Sequence, residues 1–367
     1  MTQAKKGHPD YILLSTIVIL ILLGIVILAS VSASISQEKF GYPTFYLFRH
    51  LLFGILPGIL LGLAAYKISL TRWKKWSAFF LLANLVLMAA VFIPGLGITL
   101  KGATRWMNLG LTSLQPSEFL KFSFIIYLAN WLSSLRERGR KKIHETLMGF
   151  LIIVGLISLF LYLQKDISTL VIIIACGILI YFISGTPIKH TLGIILGGLA
   201  ALALFIKFEP YRLDRIRVFF DPYLEPMGIG YQIKQALIAV GSGGLFGKGI
   251  GMSLQKLGFL PEPMSDSIFA VFTEEAGFFG ASVLILLFLI FAWRGLKIFK
   301  KTTDGFCQLA CMGIISWITL QAFVNIGATI GILPLAGIPL PFISYGGSAI
   351  TAELIGVGLL LNISRHA

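Results

Sequence analysis

Charge is what this 367-residue chain has least of: Asp, Glu, Lys and Arg make up 13% of it against 57% hydrophobic residues, and the mean hydropathy is +0.89. That poverty excludes a soluble domain of ordinary composition, in which about a quarter of residues are charged. Acids are the scarcer sign, 16 against 30 Lys and Arg. Cysteine is nearly absent. Cys176, Cys307 and Cys311 all fall in apolar runs without metal-binding or redox spacing, and read as small buried apolar residues. Internal repeats, low-complexity tracts and a second soluble domain are missing too, so residues 1–367 read as one polytopic membrane unit.

What fills the chain is hydrocarbon. Ten stretches are long enough and poor enough in charge to cross a bilayer as helices, near 11–34, 50–66, 77–94, 117–135, 146–164, 167–185, 190–207, 268–293, 305–328 and 347–363. They are continuously apolar with scattered Gly and Ser rather than alternating, which favours an all-α integral membrane protein over a barrel. The first run is too long for the apolar region of a signal peptide and lacks a small-residue cleavage pattern, so it is expected to be retained.

The net charge of +14 does not point to nucleic acid, because the cations gather in alternate short loops. Lys5 and Lys6 begin the series; Lys67, Arg72, Lys74 and Lys75 follow, then Arg136, Arg138, Arg140, Lys141 and Lys142, then Arg294, Lys297, Lys300 and Lys301. Both termini are therefore expected to be cytoplasmic. On the opposite side two connections are long, 95–116 and about 208–267, and the second is expected to be a large extracytoplasmic loop between helices 7 and 8. Its short apolar pieces and glycine clusters predict small helices lying on the membrane or dipping into a cavity.

Asp266 is the residue to watch. It follows Pro261, Glu262 and Pro263 at the outer start of the eighth span, where a carboxylate at the edge of hydrocarbon costs several kcal/mol unless it is used. As a helix cap it would be redundant beside Ser265. The glycine run before it, Gly241 to Gly251, lacks the Walker pattern: Ser242 stands where a glycine is required and Gly249 where Ser or Thr should follow Lys248. A tight re-entrant turn serves it equally well. Lys121 and Glu118, three apart on the fourth span, share a face; they form either a clasp, with Asp166 as the other possible partner, or a cationic site for an anionic substrate. Arg49, His50, Arg212, Arg215 and Arg217 break the charge rule by lying outside, which suits either lipid headgroups or a pyrophosphate-binding rim with Arg105, Lys248 and Lys256. Glu274 and Glu275, inside the eighth span, need a polar interior.

Several long motifs, in order, carry a resemblance: GATRWMNLG with QPSEFLK, GYQIKQALIAVGSGG, GKGIGMSLQK, FLPEPMSDSIFAVFTEE, and NIGATIGILPLAGIPLPFISYGG at 325–347. Over nearly its whole length the chain resembles the FtsW, RodA and SpoVE family of cell-wall proteins. The resemblance implies a ten-helix glycosyltransferase in the bacterial cytoplasmic membrane that polymerises lipid II into glycan strands on the outer face. It places the family's essential acid on Asp266, its fourth-helix acid and lysine on Glu118 and Lys121, and a further aspartate on Asp166. It also implies a class B penicillin-binding protein as partner, with divisome or elongasome membrane proteins around it, and leaves a divalent cation, Mg or Mn, open. Met264, Ser265, Ser267, Lys165 and Ser168 depart from the family's usual residues; Met264 stands where the family has a histidine, so roles built on that histidine do not transfer. DPYLEPMGIGYQ and GMSLQK look more like the division branch, FtsW and SpoVE; AGIPLPFISYGG looks like the elongation branch, RodA. The expected chemistry is direct displacement with Asp266 as general base. The rivals are a lipid II flippase, with Lys121, Asp166, Glu274 and Glu275 lining a path, and a noncatalytic scaffold for the transpeptidase.

Overall fold

The computed structural model describes residues 7–100, 102–137, 143–208, 210–221 and 228–367. In chain order its helices are α1 (Tyr11–Phe40), α2 (Phe45–Lys67), α3 (Leu70–Ala90), α4 (Pro116–Glu137), α5 (Ile143–Leu163), α6 (Ile167–Ile183), α7 (Ile188–Phe208), α8 (Pro210–Phe220), α9 (Ile229–Ser242), α10 (Ile268–Lys301), α11 (Gly305–Thr329) and α12 (Gly347–Ser364). Among the described residues six helices are long and apolar enough to cross a membrane: α1, α2, Thr146–Leu163 of α5, α10, α11 and α12. Helices also stand at the other four expected spans. Of these α6 and Ile188–Ala201 of α7 are shorter apolar pieces, and α3 and α4 carry charged residues.

Acids start several of these helices where the chain leaves a loop. The side chains of Asp10, Asp166 and Asp304 accept from the backbone N–H of Leu13, Thr169 and Cys307, filling donors that a helix start leaves open. Side chains facing outward are large and apolar: Leu60, Val86, Leu196 and Leu289 are all more than half exposed, the surface a protein presents to lipid rather than water. The interior is correspondingly small-sided where helices meet. At Gly62 of α2 a Cβ would lie 2.7 Å from the Leu354 carbonyl oxygen, and at Gly358 of α12 it would lie 2.1 Å from that of Gly62. Only glycine permits this approach, the usual means by which helices associate when burial of apolar surface offers no drive.

Two features depart from the expected all-α plan. The 95–116 connection contains a three-stranded antiparallel sheet, β1 (Gly97–Leu100), β2 (Ala103–Asn108) and β3 (Ser113–Leu114), in the order β1-β2-β3. The 208–267 connection is also not simply an outer loop. After α8 and α9 its glycine run pairs with α10 partway along that helix: Lys248 N donates to Glu274 O at 3.0 Å, Gly249 N to Glu275 O at 3.0 Å, and Phe278 N to Gly244 O at 2.9 Å. At 1.5 Å per residue these contacts lie roughly 9 to 15 Å along α10 from its start. The segment folds back against the middle of α10. α10 accommodates it by breaking at Gly277 (φ 67°, ψ −168°), which frees the Glu274 and Glu275 carbonyls to accept from the loop.

Candidate active site

Asp266 sits in a turn built by the residues before it. Ser265 N and Ser267 N both donate to Glu262 O, at 3.3 and 3.2 Å, and Ser267 Oγ donates to Pro261 O at 3.1 Å. The turn is pinned from the other side by the segment between α11 and α12 and by α11 itself. Tyr345 N donates to Met264 O at 2.9 Å, Ser344 Oγ to Ser265 O at 2.5 Å, and Asn325 Nδ2 to Asp266 O at 3.0 Å. A Cβ on Gly337 would stand 3.2 Å from Asp266 Oδ2, so this segment passes directly against the carboxylate.

Half-buried in this way, Asp266 titrates near neutrality. Desolvation first, and the charge of Glu262 second, push its pKa from the usual 3.8 up to about 6, against the opposing pull of the Arg215 and Arg105 guanidinium groups and a hydrogen bond from Ser265. Both arginines are themselves fixed. Arg215, on α8, donates to Leu335 O at 2.9 Å; Arg105, on β2, donates through Nε to Gln164 O at 3.2 Å and through Nη2 to Lys165 O. A carboxylate mostly ionised at pH 7 yet basic enough to take a proton, under the charges of two guanidinium groups, suits a reaction in which a hydroxyl loses its proton and an anion departs.

The other residues singled out in the sequence fall into separate clusters. Lys121 Nζ is 2.7 Å from Glu118 Oε2 and 2.7 Å from Gln321 Oε1, and both charged residues are 2% exposed. Gln321 in turn donates to Pro339 O at 3.0 Å, and Glu353 accepts from Phe342 N at 2.9 Å. Of the two acids open to Lys121, the structure pairs it with Glu118. Asp166 instead accepts from Ser117 Oγ at 3.0 Å and caps α6. Lys248 and Lys256, placed by sequence on the phosphate rim, are held by glutamates within α10: Lys248 Nζ lies 2.7 Å from Glu274 Oε1, and Lys256 Nζ 2.7 Å from Glu275 Oε1. Ser30 of α1 donates to Glu275 and accepts from Lys256. Arg49 Nη2 donates to Leu111 O at 3.4 Å and acts electrostatically on Tyr345, one step from the Asp266 turn. The side chain of Arg212 lies outside the described residues, and so does Lys101. Among the described residues no group of three His, Cys, Asp or Glu side chains is arranged to hold a metal ion.

Sequence reasoning missed the neutral half of the site. Asn325, Gly337 and Ser344 carry no charge, and only Asn325 had a usable signal, an amide within an apolar helix. Arg215 was recognised only as one of three arginines at the start of the long loop, with nothing in the sequence to choose among them.

Residues 11–367 match the family model for FtsW, RodA and SpoVE, described as cell cycle protein. The chain is 38% identical over 366 residues to stage V sporulation protein E of Bacillus subtilis, covering 99% of each chain. It is 39% identical over 375 residues to a probable peptidoglycan glycosyltransferase FtsW of Nitrosomonas europaea, covering 99% of this chain and 95% of the other. Among solved structures it is similar to a chain of a peptidoglycan synthase complex that coordinates polymerization and crosslinking (TM-score 0.76, 26% identity, 97% of this chain and 98% of that one). It is also similar to the rod shape determining protein RodA of Thermus thermophilus (TM-score 0.71, 26% identity, 97% of each).

Proposed function

Because the chain belongs to the FtsW, RodA and SpoVE family, we propose that it is a peptidoglycan glycosyltransferase that polymerises lipid II at the outer face of the cytoplasmic membrane, with Asp266 as its general base. The observation that carries this reading is the carboxylate itself. Asp266 is held from both sides by hydrogen bonds, raised to about 6 and acted on by the charges of Arg215 and Arg105. A hydroxyl of the acceptor sugar attacks the anomeric carbon of the donor; the new C–O bond forms as the bond to lipid pyrophosphate breaks, and Asp266 takes the hydroxyl proton. Base assistance of this kind contributes about 100- to 10,000-fold in rate. Arg215 and Arg105 stabilise charge on the departing pyrophosphate. A divalent cation, Mg or Mn, arriving with the pyrophosphate of the substrate would supply further neutralisation there.

The finer architecture belongs to the same proposal: ten spans, both termini cytoplasmic, with the Asp266 turn opening outward. A class B penicillin-binding protein is the expected partner, supported by the likeness to a chain of a peptidoglycan synthase complex. Relatives named FtsW and SpoVE support the division branch. The flippase reading loses its main support, since Lys121, Glu274 and Glu275 are paired and buried rather than lining a path. The test is polymerisation of purified lipid II by the chain together with its transpeptidase partner. Wild type should yield glycan strands and Asp266→Asn none; strands made equally by Asp266→Asn would remove Asp266 as the base, and lipid transfer across vesicles without polymer would restore the flippase.

A further inference from the structure

Trp317, Gln321 and Asn325 recur every four residues on α11 and so share one face. Asn325 is 1% exposed, and its Nδ2 donates twice, to Asp266 O at 3.0 Å and to Ile338 O at 2.8 Å. Both acceptors are carbonyl oxygens, so the donor end of the amide must face them. Among the described residues its Oδ1 has no hydrogen-bond partner, so the amide's contribution there is donation. One turn earlier, Gln321 Nε2 donates to Pro339 O at 3.0 Å. Two successive carbonyls of the inter-helix segment are therefore held by two successive turns of α11, and the carbonyl of the catalytic acid is held by the second of them.

We propose that Asn325 is the positioning residue for Asp266: by bridging its main chain to Ile338 it fixes the direction of the carboxylate and keeps the Gly337–Pro339 backbone packed against it. The proposal rests on the reading of Asp266 as the base. Asn325 does not touch the reacting atoms. It acts through the turn that carries them.

Without the bridge the segment is free to lift and water reaches the carboxylate. The charged and titratable groups around Asp266 are Glu262 in its own turn, Arg215 from α8, Arg105 from β2 and Tyr345 on the inter-helix segment; none of these is altered by a change at position 325. A shift in titration on losing Asn325 then reports hydration and geometry at Asp266.

The experiment uses the full chain with its transpeptidase partner and lipid II, comparing wild type with Asn325→Leu, Asn325→Ser and Asp266→Asn. Leu keeps the branched shape and removes both donors; Ser retains one. Asn325→Leu is expected to lower kcat about 100-fold, the usual cost of misplacing a reacting group by an ångström, with KM changed less than about threefold. It should also move the acid limb of the kcat profile toward lower pH, and Asn325→Ser should recover part of both. A kcat within about threefold of wild type, or a large loss in folded, monodisperse protein with the acid limb unmoved, overturns the proposal. If Asn325→Leu does not fold, Asn325→Ser decides by the same criterion: a displaced limb supports the proposal and an undisplaced one refutes it. An inactive Asp266→Asn beside a fully active Asn325→Leu removes only the positioning role, whereas an active Asp266→Asn removes the base and this proposal with it.

Discussion

Lys256 discriminates most sharply between a substrate-binding rim and a structural clasp. Its ammonium lies 2.7 Å from Glu275 Oε1 and is also held by the hydroxyl and carbonyl of Ser30, with the Lys256 and Glu275 side chains 6% and 3% exposed. At 2.7 Å and an effective dielectric of about 20 the pair attraction is roughly 6 kcal/mol, most of it offset by the cost of removing both charges from water. Lys256→Met removes the attraction and leaves Glu275 buried with Ser30 as its remaining donor, so the loss should be about 3 to 5 kcal/mol. Lys256→Met/Glu275→Gln removes both charges and should regain most of it. The assay is thermal denaturation in detergent followed by monodispersity, run as a full double-mutant cycle with Glu275→Gln as the fourth member. A coupling of at least about 2 kcal/mol is expected. Additive losses, or unchanged stability with a raised KM for lipid II, would refute the clasp and return Lys256 to the substrate.

Asp266→Asn should stabilise the protein while silencing it. A native pKa of about 6 against 3.8 unfolded means that the folded state binds the proton more tightly, so the acid is a penalty above pH 6 that fades as pH falls toward 4; its removal is worth at most about 3 kcal/mol at neutral pH and should raise the melting midpoint over wild type more there than at pH 4. Gly277→Ala puts a Cβ 2.3 Å from Gly247 N at a positive φ, so roughly 3 kcal/mol or more should be lost, measured by the same melts. Glu262→Gln takes away one of the two influences that raise the Asp266 pKa and should move the acid limb of the rate profile down, while Arg215→Gln should move it up.

The helices were legible because hydrocarbon tolerates few alternatives, and every expected span is occupied by one. Asp266 was legible because an acid between prolines and an apolar helix is costly. What escaped was pairing across the fold. Lys248 and Lys256 look like free cations in a glycine-rich loop until that loop turns inward and meets Glu274 and Glu275, which the sequence had shown to need a polar interior but had left without named partners. Lys121 had two candidate acids at similar depth, and only packing places Asp166 at the start of α6 with Ser117 and Glu118 beside the lysine. The sheet over Gly97–Leu114 was hidden because its strands are too short to show a clear alternation. Asn325 and Glu353 were overlooked because a single polar residue in an apolar helix does not say which backbone it holds.

The most direct measurement is the pH dependence of lipid II polymerisation by the wild-type protein with its partner, from pH 4.5 to 8. If Asp266 is the base in the setting described, kcat/KM should fall about tenfold per unit below an apparent pKa near 6. A profile flat through that range, or a limb at the ordinary carboxylate value near 4, would contradict it.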